Sequence, residues 1–180
     1  MAEAAPSTRL WLGRAGYLTL ALVLIALSLA PFETQPRRWA PPDLLLAVTM
    51  AWAVRRPDHV PVISVAVVFL IADLLFQRPP GLMAAVVVLA VDRIVKRGPA
   101  FRAMPFGLEW VSVALVMTVV VFAQRIILAV MMLPRPSMAL TMIELALTVA
   151  VYPLVTMMAY LLFGVSRRAP GETDSLGHKI

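Results

Sequence analysis

Apolar positions in this chain come in long unbroken runs, separated by short turns that hold nearly all the charge and proline. The runs are Ala15–Ala30, Asp43–Val54, Val60–Phe76, Leu82–Val91, a stretch from Pro105 past Arg125 to Leu133, and Met138–Val165. Runs of this length without period-2 alternation predict helices buried in lipid or in other helices. The expected fold is an all-α integral membrane protein, a six-span helical bundle whose second span is short or partial. Residues 15–165 then form a single multi-pass membrane domain. A polar cytoplasmic leader (1–14) and a polar cytoplasmic tail (166–180) flank it.

The punctuation between runs supports this division. Arg9 and Arg14 ahead of Ala15–Ala30, with Ser28 and Ala30 at its end, give that run the look of a signal peptide. Pro31 disfavours cleavage after Ala30, so the run is read as an uncleaved first span. Pro31 to Pro42 is a stiff, proline-rich loop with Trp39 suited to the lipid–water interface. The second run amounts to about 18 Å of helix against a hydrocarbon core of roughly 30 Å. Asp43, directly after Pro42, is placed to cap it. Gln77 to Gly81 is long enough only for a tight turn, so the third and fourth runs pair antiparallel. Pro105 suits a helix start, and Pro134-Arg135-Pro136-Ser137 breaks the fifth run.

Composition strengthens the membrane reading. The chain is 61% hydrophobic with mean hydropathy +0.87, against about 45–50% apolar residues in ordinary soluble domains. Its net charge of +6 is the kind that cytoplasmic loops of membrane proteins carry, so nucleic acid is not the expected partner. Six spans with both termini inside place Arg55, Arg56, Arg93, Lys96, Arg97 and Arg102 on the cytoplasmic side. They leave Arg37, Arg38, Arg78, Arg125 and Arg135 outside. If Asp43–Val54 does not cross, five spans with the N-terminus outside give the same balance. Six is preferred because exporting a short tail with Arg9 and Arg14 opposes the positive-inside rule.

Candidate chemistry is sparse. There is no cysteine, and His59 and His178 stand apart with no metal-binding or nucleophile motif around them. No enzyme and no cofactor are expected. Asp73, near the end of its run, is a carboxylate where carboxylates are costly; its candidate partners are Arg78, backbone donors in the turn, a ligand or another protein. Asp92 and Lys96 form an (i, i+4) pair. Glu109 lies in a first helical turn, where it favours the dipole, and is given no further role. The last run carries a polar seam, Glu144, Thr148, Tyr152, Thr156 and Tyr160, with Thr141 one turn earlier. Residues four apart share a helix face. The seam reads as interhelical hydrogen bonding, or as the lining of a pocket on which Asp73 also converges. Pro153 should kink this helix and free a backbone carbonyl. A Met-rich apolar surface, Ile126, Ile127, Val130, Met131, Met132, Leu133, Met138 and Met142, is the candidate partner-binding region.

Taken in order, Pro42-Asp43-Leu44-Leu45-Leu46, Trp52-Ala53-Val54-Arg55-Arg56-Pro57, Ala72-Asp73-Leu74-Leu75 and Pro79-Pro80-Gly81-Leu82 resemble the rod shape-determining protein MreD family. Pro42, Asp43, Asp73, Pro80 and Gly81 match its signature positions as structural residues. The chain departs from the pattern in Phe69-Leu70-Ile71-Ala72-Asp73, which lacks the family's glycine ahead of the acid. The resemblance implies a non-catalytic scaffold in the bacterial cytoplasmic (inner) membrane that binds MreC and helps to organise peptidoglycan synthesis. MreB, RodA and its penicillin-binding transpeptidase would belong to the same assembly, with membrane lipid as a further contact. The family is also similar to the substrate-binding subunits of energy-coupling-factor transporters. No transport activity follows from that likeness; the rival expectation, a small-solute-binding subunit of a transporter with a pocket lined by the last span, rests on Asp73, Glu144 and the threonine–tyrosine seam converging there.

Overall fold

The computed structural model describes residues 6–30 and 40–163. Over them the chain forms α1 (Pro6–Leu29), α2 (Leu44–Arg55), a 3₁₀ turn (Pro57–His59), α3 (Val62–Leu75), α4 (Leu82–Lys96), α5 (Gly98–Ala103), α6 (Phe106–Val130) and α7 (Met138–Phe163). There is no strand among the described residues. Helix α1 begins inside the stretch read as a leader. The short α5 had no counterpart in the hydrophobic pattern. Trp39, Arg37 and Arg38 of the proline-rich loop, and the 166–180 tail, lie outside the described residues.

Three helices, Leu10–Leu29, Phe106–Val130 and Met138–Leu162, are long and apolar enough to cross a membrane. The chain is a helical membrane protein. Helices α2 and α3 are apolar but short.

Helix α2 is the axis of the bundle. Every residue from Leu45 to Val54 is buried, and α1, α4 and α7 pack around it. A helix that is apolar on all sides needs cover on all sides, and here protein supplies much of it. Asp43 starts the helix, its Oδ1 accepting from the Leu46 amide at 2.9 Å, as an N-cap carboxylate should. Thr49, the one polar residue in the buried run, donates to the Leu45 carbonyl at 2.7 Å. Its hydroxyl hydrogen is thereby spent, so Tyr17 of α1 is the donor in their 3.1 Å bond.

Helices α3 and α4 form an antiparallel hairpin. On α4, Met83, Val87, Val91 and Ile94 are buried at helical spacing. Two helix ends share one device. After α3, the Gln77 amide donates to the Leu74 carbonyl and the Arg78 amide to the Asp73 carbonyl. After α6, Met132 and Leu133 donate to Ala129 and Leu128 in the same pattern. These are Schellman endings, which usually place glycine in the left-handed position. Here Gln77 (φ 54°) and Met132 (φ 55°) occupy it, at a steric cost of about 1–2 kcal/mol each. A proline follows each turn, Pro79 and Pro134.

Candidate functional site

Polar side chains gather at the two ends of α2. At the Arg55 end, α2, α6 and α7 contribute one residue each to a buried cluster. Glu109 is fully buried. Its Oε1 lies 3.3 Å from Nη2 of Arg55 and accepts the Tyr152 hydroxyl at 3.0 Å. The Arg55 guanidinium also sits 5.8 Å from the centre of the Phe106 ring. Burying a carboxylate is tolerable only when it is paired and hydrogen-bonded, and Glu109 is both. Sequence reading missed this residue, taking it for a dipole partner and Arg55 for an orientation signal. The available clue was an acid and an arginine at the ends of two helices expected on the same side of the membrane.

The α7 seam divides in the structure. Thr141, Thr148, Tyr152 and Thr156 are buried, Glu144 is half-buried, and Tyr160 is exposed. Thr148 and Thr156 donate to carbonyls of their own helix, those of Glu144 and Pro153. Thr148 also accepts the Asp43 amide at 2.8 Å, tying α7 to the start of α2. Pro153 has no N–H for the carbonyl four residues back, which is that of Val149. The indole N–H of Trp110 on α6 donates to it at 2.8 Å.

Asp73 does not join this seam. It is fully buried, and its Oδ2 accepts the amides of Met83 and Ala84 at 3.1 and 3.2 Å. It therefore caps α4 from across the turn, in place of a side-chain cap that Gly81 cannot supply. Gly81 itself is left-handed (φ 83°), a conformation that suits glycine.

At the opposite end of α2 lies an open cavity of about 210 Å³. Arg78 from the α3–α4 turn, Arg125 from α6 and Arg135 from the α6–α7 loop line it, together with Asp43, Glu144 and Thr148. A second chamber of about 480 Å³ shares Asp43, Arg78 and Glu144 and is otherwise lined largely by apolar residues, including Ile25, Leu45, Phe76 and Leu140. Arg125 turns back into the protein rather than out to the interface. Its Nη1 donates to the Pro136 carbonyl at 3.0 Å and to Thr141 at 2.8 Å. Sequence reading counted these three arginines as outside charge, with Arg78 also a candidate partner of Asp73, and did not bring them together.

The Met-rich surface sits beside this cavity, at the end of α6 and the start of α7. Ile126, Ile127, Val130, Met131 and Met138 are exposed, Met132 is 93% exposed, and Leu133 and Met142 are partly covered. No group of His, Cys, Asp or Glu among the described residues could hold a metal ion. Compared with protein-family models, with characterised proteins and with solved structures, the chain matches none, so its site is read from its own geometry.

Proposed function

We propose that the chain is a non-catalytic, six-span membrane scaffold of the bacterial cell-elongation (rod-shape) machinery. It lies in the cytoplasmic membrane with both termini cytoplasmic, binds MreC, and helps to organise peptidoglycan synthesis near MreB, RodA and its transpeptidase. Two kinds of support meet in this reading. The residues that resemble the MreD family, Asp43, Asp73 and Gly81, act as framework in this fold by capping or turning helices. The observation that carries the docking role is the end of α6. At 25 residues this helix is roughly 37 Å long, more than the roughly 30 Å hydrocarbon core when upright, and an upright α6 carries its exposed apolar tip Val130–Met132 past the lipid. Met132 is held out there in a left-handed conformation that costs energy, and flexible methionine suits a binding surface.

The test is co-purification of MreC with the full-length chain. Replacing Met131, Met132 and Leu133 by glutamate should abolish capture, and undiminished capture by that variant sinks the docking role. Met132→Gly, which relieves the strained φ while removing the side chain, should weaken capture with no loss of thermal stability.

A second reading, a small-solute-binding transporter subunit, is favoured by the cavity beside α7. A small molecule retained through purification, lost on Glu144→Ala or Thr148→Ala while MreC capture is unchanged, would establish it instead.

A further inference from the structure

The three arginines of the cavity hold many hydrogen-bond donors with no acceptor among the described residues. A guanidinium carries five N–H donors in a rigid fork. Arg125 spends the two on Nη1 on Pro136 and Thr141, which leaves its Nε and Nη2 donors open. Arg78 stacks over Phe76 at 5.2 Å and feels the charge of Asp73 without reaching ion-pair distance, and among the described residues neither its guanidinium nor that of Arg135 donates a hydrogen bond. None of the three forms an ion pair with a carboxylate among the described residues. They come from three separate segments, so no local helix pattern accounts for their meeting. The two strained turns at Gln77 and Met132 lead directly into the segments that carry Arg78 and Arg135.

We propose that this cavity is an oxyanion site that takes a phosphate group, either free or carried on a lipid headgroup. Guanidinium forks match phosphate oxygens in pairs, and three of them from different directions can engage a tetrahedral group that no single one encloses. The adjoining chamber, lined by apolar side chains such as Ile25, Leu45, Phe76 and Leu140 but with about half of its surface polar, has room for the rest of an amphiphile, with the shared Arg78 at the junction. The site rests on the cavity alone and is independent of the Met-rich docking surface. Loss of MreC capture does not affect it, nor does its own failure affect the docking role.

The experiment uses the full-length chain in a neutral detergent at constant ionic strength. Its thermal midpoint is followed against inorganic phosphate in one arm and a short-chain phosphatidylglycerol in the other. The wild-type midpoint should rise in at least one arm. Arg135→Gln and Arg78→Gln should each weaken the apparent affinity about tenfold, the loss of one charged hydrogen-bonding partner. A rise with phosphate identifies a free anion as sufficient, and a rise with the lipid alone identifies a headgroup. Arg135 is exposed and makes no hydrogen bond or ion pair among the described residues, so its variant folds and keeps the test decisive. No rise in either arm, or an equal rise in both variants, overturns the proposal.

Discussion

The two ends of α2 handle charge in opposite ways. At the Arg55 end, Glu109 is sealed, with a guanidinium and a phenol on one oxygen. At the Arg125 end, three guanidiniums line an open chamber with most of their donors unused. Depth does not separate them, because Asp73, near the Arg125 end, is as buried as Glu109. The difference lies in whether the protein supplies the partners. A buried charge with internal partners is part of the framework. A set of guanidiniums that no carboxylate pairs at ion-pair distance among the described residues, gathered from three segments, is arranged for something that comes from outside.

The strongest attack on this contrast is Glu109→Leu. It strands the largely buried Arg55, and breaking one partner of a buried pair costs about 3–5 kcal/mol. A large fall in the thermal midpoint in detergent is the expected result. The double variant Arg55→Met with Glu109→Leu should recover most of the loss, since an apolar replacement of a whole pair is often neutral. If the single variant is as stable as wild type, the Arg55 end is not the framework described above.

Asp73→Ala tests the same principle at the other end. Removing a cap costs about 0.5–2 kcal/mol, and two amides of α4 lose their acceptor together, so the upper half of that range is expected. Hydrogen exchange at Met83 and Ala84 should quicken more than exchange in α6. The cost should stay below that of Glu109→Leu, because the stranded groups are neutral.

How much of this was legible in the sequence follows from how local each feature is. The helices other than the short α5 were, because apolar runs and proline punctuation act within a few residues. Even the carbonyl freed by Pro153 was foreseeable, though its acceptance by Trp110 was not. The Arg55–Glu109 pair spans 54 residues of sequence and exists only because α2 and α6, which both pack on α4 and α7, bring one end each together. The burial of α2 was equally hidden, since an apolar surface looks the same whether lipid or protein covers it. The cavity depends on three turns meeting, which no periodicity records.

Acid sharpens the picture at the Arg55 end, where the turn after α2 reaches His59. Burial, then Arg56 and Arg14, disfavour its charged form and hold its pKa below the ordinary value. A Cβ on Gly13 would collide with its ring, so the imidazole has little room to move away. In the unfolded chain His59 takes up its proton near pH 6.5, before the folded protein does. The neutral imidazole's contribution to stability is complete above that pH. It is lost as pH falls from about 6.5 through the lower folded value. The thermal midpoint should therefore drop modestly on acidification through this window. His59→Asn should flatten the slope, and an unchanged slope in that variant assigns the acid sensitivity to another group.

The smallest effect is expected from Arg135→Gln, and its smallness is informative. Arg135 is exposed and makes no hydrogen bond or ion pair among the described residues. Surface changes of this kind lie within about 0.5 kcal/mol of zero, so the thermal midpoint without added anion should not move. A gain in stability would mean that the three arginines repel one another enough to strain the chamber. A clear loss would mean that Arg135 already serves the framework, and the contrast between the two ends of α2 would fail at its open side. An unchanged midpoint keeps the contrast and leaves Arg135 as a side chain whose contribution appears only when a phosphate group enters.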